Sequence, residues 1–281
     1  MARGDAYRYR ELLDRGWTRE GLRSSLGRGE LTRPTRGVYA GAGTDGLRAL
    51  FRRLPPGTVL GFHSAAAGYG LPVPPDDRVH VIVPPGTDVP LIRGVAAHAS
   101  VLPVGDPVWL DGVPCVPPER CAVDLARHLR RGDALAMLDA TLRASLCMPD
   151  QLYAEVARHV GLRGVRQARE LVGLADPRAE CAQESHLRLV ILDARLPPPE
   201  PQIWIHDRHG HAVYRIDLGY RGKKVGVEYD GSSHTDATRL QYDRSRHNWL
   251  ADHGWQIRYV TSRDLYRVPH SIVATLAPLL R

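Results

Sequence analysis

The chain has 281 residues, 43% of them hydrophobic and 25% charged, with a net charge of +7. That length suits two or three domains, and no stretch approaches the ~18 consecutive apolar residues of a membrane span. The first ten residues are polar and lack the apolar run of a secretory signal, so the cytoplasm is the expected compartment.

The excess charge is concentrated at one end. Residues 1–53 hold twelve Arg against six acidic residues, whereas 54–179 hold twelve basic against thirteen acidic residues and 180–281 fourteen against twelve. An Arg-rich N-terminus points to a polyanion such as DNA. Coding bias is the blander explanation, since Lys223 and Lys224 are the only lysines. The four cysteines, Cys115, Cys121, Cys147 and Cys181, form no C-x-x-C pair, which argues for reduced, buried thiols over a zinc site.

Tyr9, Leu12 and Leu13 lie at helical spacing until Gly16. Thr18 before Arg19-Glu20-Gly21 reads as the N-cap of a second helix, with Leu22 and Leu26 as its apolar stripe and Gly27 and Gly29 at its end. Leu31 to Tyr39 reads as two short strands around Pro34. Residues 1–53 thus have the order of a winged helix-turn-helix. Arg19 and Arg23 project from the second helix, Arg28 follows it, and Arg33 and Arg36 sit on the wing. Those are places for phosphate contacts, which position a protein on DNA; a solvated arginine face or a protein-contact module is the alternative.

Residues 54–178 read as an α/β scaffold, dimer surface or sensor. Arg78 to Val83 is a strand before a Pro84-Pro85-Gly86 turn, and Val95–Val101 and Trp109–Val116 read as further strands. Pro118–Arg130 and Asp133–Leu146 have helical apolar spacing. His63 and Ser64 are adjacent, but no acid has a recognisable role beside them, so His63 reads as a structural histidine.

Several blocks in this half carry a family likeness. Trp17-Thr18-Arg19-Glu20, Gly29-Glu30-Leu31 and Arg36-Gly37-Val38-Tyr39, then Phe62-His63-Ser64-Ala65-Ala66-Ala67, Gly70-Leu71-Pro72 and Pro118 to Ala126, resemble the AbiEi family of antitoxins. The likeness covers roughly residues 7–145. It implies promoter binding, transcriptional repression and a toxin or defence-system partner.

Residues 179–281 read as α-β-β-β-α-β-α: helix Ala179–Arg195, strands Gln202–His206, Ala212–Leu218 and Lys223–Asp230, helix Asp236–Asp252, strand Trp255–Val260, a turn at Ser262–Tyr266 and helix Pro269–Leu280. No glycine-rich phosphate loop is present. Glu228 and Asp230 are two apart on one strand and so share a face, and the preceding hairpin arm brings Asp217 beside them. Three clustered carboxylates repel one another unless a cation joins them. Mg²⁺ or Mn²⁺, which prefer oxygen ligands, would relieve this and position a water for phosphodiester hydrolysis. Glu184, with Glu180 nearby, is the candidate accessory ligand. His234 after Gly231 is the candidate base, and Lys223, Lys224 and Arg246 are candidates to neutralise phosphate. A structural Arg ion pair is the ordinary explanation of any one of these acids.

Glu184-Ser185-x-Leu187, Arg215-Ile216-Asp217, Val227-Glu228-Tyr229-Asp230-Gly231 with His234, Asp243-x-x-Arg246-x-x-x-Leu250 and Gly254-Trp255-Gln256-Ile257 resemble the PD-(D/E)XK nucleases, in the branch of the Vsr repair endonucleases. The likeness implies a restriction-endonuclease-like fold, a divalent metal, Asp217 as metal-binding Asp, Glu228 and Asp230 flanking the metal and His234 as base. Asp230 stands where the superfamily motif usually has Lys, and no Cys follows Cys181 to build the repair branch's structural zinc site. Two functions follow: a Mg²⁺-dependent DNA endonuclease of repair or defence, dimeric if it cuts palindromes, or an antitoxin-like transcriptional regulator with an inactive nuclease fold.

Overall fold

The computed structural model describes residues 6–35, 37–41, 46–89, 91–231 and 237–281, and of 34–35 and 237–243 the backbone. The chain divides into two compact units, Met1–Cys121 and Ala122–Arg281. Among the described residues no helix is long and apolar enough to cross a membrane.

The first unit opens with β1 (Ala6–Arg8), α1 (Tyr9–Asp14), α2 (Arg19–Gly27), β2 (Leu31–Thr35), β3 (Val38–Gly41) and α3 (Gly46–Phe51). The three strands make an antiparallel sheet in the order β1-β3-β2. Strand β1 goes beyond the sequence expectation: three residues carry too short a pattern to read, and β3 supplies the partner. Thr18 caps α2 as expected, its hydroxyl accepting the Gly21 N–H at 3.0 Å. Leu12, Leu22 and Leu31 are buried together, with Tyr7, Tyr9, Trp17, Leu26 and Tyr39 packed around them. Full burial of each leucine contributes about 1.5–3 kcal/mol.

Next come β4 (Val59–Leu60), α4 (Phe62–Gly68), β5 (Val79–Val83), β6 (Val95–Ala99), β7 (Val108–Leu110) and β8 (Val113–Cys115), in a mixed sheet ordered β6-β5-β4-β8-β7. The run Trp109–Val116 is not one strand. Asp111 (φ 48°) and Gly112 (φ 74°) both adopt positive φ and fold it into a two-residue hairpin. Helix α5 (Pro118–His128) contains the boundary between the units.

The second unit continues with α6 (Arg131–Arg143), α7 (Pro149–Arg158), α8 (Val165–Val172) and α9 (Ala182–Asp193). Helices α7 and α8 fall where the sequence suggests no element. Leu135, Leu138, Leu152, Val156, Leu171 and Leu189 lie in one buried cluster joining these helices. Asp139 of α6 and Arg188 of α9 form a buried ion pair at 2.7 Å, and Asp139 also accepts from Ser185 Oγ and from the Asp176 N–H, each at 2.7 Å.

The last part runs β9 (Glu200–His206), β10 (Ala212–Tyr220), β11 (Val225–Asp230), α10 (Ala237–Asp252), β12 (Gln256–Thr261), α11 (Ser262–Arg267) and α12 (Pro269–Leu280). The sheet order is β12-β11-β10-β9, antiparallel except for the β11–β12 pair. Helix α10 makes the crossover that a parallel pair requires. Leu187 and Ile191 of α9 pack with Val225, Val227, Val260, Leu265, Ile272 and Leu276. A separate cluster places Leu250 of α10 against Ile203, Ile205, Ile216 and Ile257. Ser262–Arg267 is a short helix and not a turn, because Thr261 and Asp264 cap it reciprocally.

Candidate acidic site

Asp217 lies where a strand ladder gives way. Strands β10 and β11 pair from Tyr220↔Val225 to Leu218↔Val227. Two residues beyond Val227, the Tyr229 N–H donates at 3.0 Å to Asp217 Oδ2. The neighbouring β9 is also irregular there, since Gln202 has φ 55°. The carboxylate thus accepts a backbone N–H at an irregular point of the sheet, and the sequence contains no local sign of it.

Three acids share this place. Burial, Glu184 and Glu228 push the Asp217 carboxyl up to about 6, against the pull of the Tyr229 N–H and Arg246. Glu184 is buried in the first turn of α9, where the helix dipole favours negative charge. Its carboxylate accepts from the Glu180 N–H at 2.9 Å, Gln202 Nε2 at 2.8 Å and the Cys181 thiol at 3.3 Å. Glu228 is buried on β11 and gripped by Arg246 of α10, whose Nη1 donates to Oε2 at 2.7 Å and whose Nη2 donates to Oε1. The second nitrogen also reaches the Arg215 carbonyl at 2.8 Å. Asp230 ends β11 opposite Thr261 and is exposed.

Other candidates named from the sequence have partners within the chain. Arg246 reaches the site, and its guanidinium binds Glu228. Lys223 and Lys224 sit at the β10–β11 turn, four or five residues and so about 13–17 Å from Glu228 at roughly 3.3 Å per residue. Their ammonium groups donate to the Arg281 and His253 carbonyls at 2.7 and 3.0 Å. Glu180 pairs with Arg215 through two 2.7 Å bonds. His234 lies outside the described residues.

A hard cation would find oxygen donors of the right kind in Glu184, Asp217 and Glu228. Each is already engaged: by Gln202 and backbone, by Tyr229 and by Arg246. Among the described residues, the group that brings three ligand atoms within 4.8 Å of one another is elsewhere, at His63, Asp76 and His80.

In the N-terminal unit, Arg19, Arg23, Arg28 and Arg33 are all exposed. Arg19 Nε donates to the Tyr9 hydroxyl at 2.8 Å, and Arg33 stacks on Tyr39 with 5.9 Å to the ring centroid. Arg28 is tied to Glu30 by bonds of 2.7 and 2.9 Å and is thus partly neutralised. Arg36 lies outside the described residues. Cys115, Cys121 and Cys147 are buried, Cys181 is half-buried, and none of the four is in a disulfide. Burial pushes Cys115 and Cys181 up to about 11, away from the reactive thiolate.

Comparison with known proteins finds relatives of this chain. The model of the AbiEi antitoxin C-terminal domain matches residues 58–174. Two curated relatives from Mycobacterium tuberculosis, the uncharacterized proteins MT2308 of strain CDC 1551 / Oshkosh and Rv2248 of strain ATCC 25618 / H37Rv, are each 34% identical over 265 residues. Those alignments cover 92% of this chain and 96% of each relative. The chain belongs to the same family as these two mycobacterial proteins and carries an AbiEi-like region across residues 58–174.

Proposed function

We propose that the chain is a DNA-binding regulator of the antitoxin type. In this reading residues 1–53 are a winged helix-turn-helix, 54–178 an AbiEi-like scaffold, and 179–281 a restriction-endonuclease-like domain whose acidic centre is locked. The observation that carries the reading is the division of α2. Leu22 and Leu26 join the small core, while Arg19 and Arg23, one helical turn apart, remain exposed. A recognition helix needs that combination of an anchored apolar side and a free basic side. The AbiEi match supports the same reading and makes a toxin the expected protein partner.

A second reading, a Mg²⁺- or Mn²⁺-dependent DNA endonuclease of the PD-(D/E)XK kind, is favoured by one observation. Burial, and after it the nearby charges of Glu184 and Glu228, raise the pKa of Asp217, and a divalent cation would relieve that cost. Catalysis there requires Glu228 to release Arg246. His234 remains the proposed base, and Asp230 the proposed flanking acid.

One experiment separates the two. The full chain is titrated against its own upstream DNA by fluorescence anisotropy in EDTA, and the DNA is then followed on a gel after Mg²⁺ or Mn²⁺ replaces EDTA. The regulator binds without metal and leaves the DNA intact. Metal-dependent cutting that disappears in Asp217→Ala would overturn the regulator reading in favour of the enzyme. Absence of both binding and cutting would overturn both.

A further inference from the structure

We propose that His63, Asp76 and His80 form a binding site for a divalent transition-metal cation of the zinc type, supported by His98. The four side chains come from separate places in the first unit. His63 is in the first turn of α4, Asp76 lies in the loop before β5, His80 is on β5 and His98 is on the parallel neighbour β6. They are dispersed over 36 residues of sequence without a metal-binding motif, so only folding brings them together.

The distances suit a single ion. One ligand atom from each of His63, Asp76 and His80 lies within 4.8 Å of the others. Ligand atoms about 2.0–2.2 Å from a tetrahedral zinc are about 3.3–3.5 Å apart. His80 Nε2 and Asp76 Oδ2 already stand at 3.1 Å. Closing the remainder requires the third ligand to move by roughly 1 Å, which a half-buried His63 in the opening turn of a seven-residue helix can supply.

The hydrogen bonding points to a ligand. His80 is 4% exposed, and its Nε2, 3.1 Å from Asp76 Oδ2, has no well-formed hydrogen bond. His63 Nδ1 is also buried without a hydrogen-bond partner. Buried polar atoms are rarely left so, and here two imidazole nitrogens of one cluster share the condition. A cation accepting both lone pairs satisfies them at once.

A supporting layer surrounds the three. His80 Nδ1 is 3.1 Å from His98 Nε2. With Nε2 on the metal, Nδ1 carries the proton and donates to His98, the arrangement that orients metal-bound histidines. The His80 backbone N–H donates to Ser64 Oγ at 2.8 Å. Arg78 fixes Asp76, with its backbone N–H and Nε donating to Oδ1 at 2.9 and 3.0 Å and Nη2 donating to Oδ2 at 2.7 Å. The Phe62 ring packs 4.1 Å from the His98 ring and closes the apolar side. Two imidazoles and one carboxylate suit zinc with a water in the fourth position, and do not suit Mg²⁺ or Ca²⁺, which favour all-oxygen shells.

The test uses the full chain without a histidine tag, stripped with chelator, loaded with Zn²⁺ and desalted, with metal content measured by mass spectrometry. Co²⁺ in place of Zn²⁺ gives an independent visible spectrum. One equivalent of Zn²⁺ and tetrahedral Co²⁺ bands are expected. His63→Ala and Asp76→Asn should lose both, and His98→Gln should bind about 10–100-fold more weakly. Circular dichroism of each variant checks the fold. Asp76→Asn, a near-isosteric change at a partly exposed position, is the variant to weigh if His63→Ala unfolds. No Zn²⁺ uptake by the parent, or equal uptake by a folded Asp76→Asn, would show that these three residues do not form a metal site and overturn the proposal.

Discussion

Arg246 of α10 holds both carboxylate oxygens of Glu228 on β11, so one of the buried acids of this site is already neutralised from within the chain. Removing one partner of a buried pair leaves the other charge uncompensated, at a cost of about 3–5 kcal/mol. Partial solvent access to Arg246 places the expected cost at about 3 kcal/mol for Arg246→Met. Thermal melts should show a loss of several degrees. Under the enzyme reading, Mn²⁺ should recover part of that loss in the variant and do less for the parent. Under the regulator reading, Mn²⁺ should leave both unchanged.

Asp217 gives a pH signature with a definite sign. Its carboxyl is raised from 3.8 to about 6, so the folded state binds the proton more tightly than the unfolded state. The stability from this group is complete below pH 3.8 and is lost as pH rises through about 6. Asn cannot ionise, yet its Oδ1 can still accept the Tyr229 N–H. Asp217→Asn should therefore be more stable than the parent well above pH 6 by on the order of 1–2 kcal/mol, with the advantage disappearing toward pH 3.8. Urea melts across that range decide it: an advantage that does not change with pH would mean that Asp217 is not the titrating group.

The elements bordering this site are largely legible in the sequence, whereas its internal wiring is not. Val225 to Asp230 alternates clearly enough to mark β11, and Thr18 announces α2 because a cap is a local device. Asp111-Gly112 is a hairpin signal set inside an apolar run, and the run masks it. Helix α7 buries only Leu152, Glu155 and Val156, too narrow a stripe to stand out from polar sequence. The identity of Arg246 suggests a phosphate contact, but its choice of Glu228, 18 residues away, depends on how α10 crosses the sheet. Asp76 is separated from His63 by a loop, so the acid that reading of the sequence fails to find beside His63 is supplied by the fold.

The Asp139–Arg188 pair tests how α6 and α9 are held together. Asp139 is fully buried, and its charge is matched by Arg188, Ser185 and the Asp176 N–H. Asp139→Ala should destabilise by about 3–5 kcal/mol, because Arg188 is left charged in an apolar place. Asp139→Leu combined with Arg188→Met should be much less harmful than the sum of the single changes. Urea denaturation of the two singles and the double measures the coupling, and additive losses would mean that the pair does not join the helices.

DNA affinity should distinguish among the exposed arginines according to their partners. Arg23 extends from α2 beside Arg19, whereas Arg28 is bound by Glu30, whose carboxyl it lowers to about 2. A guanidinium held by its own carboxylate gives a phosphate less net charge, so Arg28→Ala should change affinity less than Arg23→Ala. Each lost phosphate contact lowers the slope of log affinity against log salt by about 0.9, and Arg19→Ala with Arg23→Ala should lower it by about 1.8. The loss should be similar on specific and scrambled duplexes, since backbone contacts position the protein and base contacts discriminate. Anisotropy titrations over a salt series measure both quantities. An unchanged slope in the double variant would remove α2 from the interface and with it the winged-helix reading of residues 1–53.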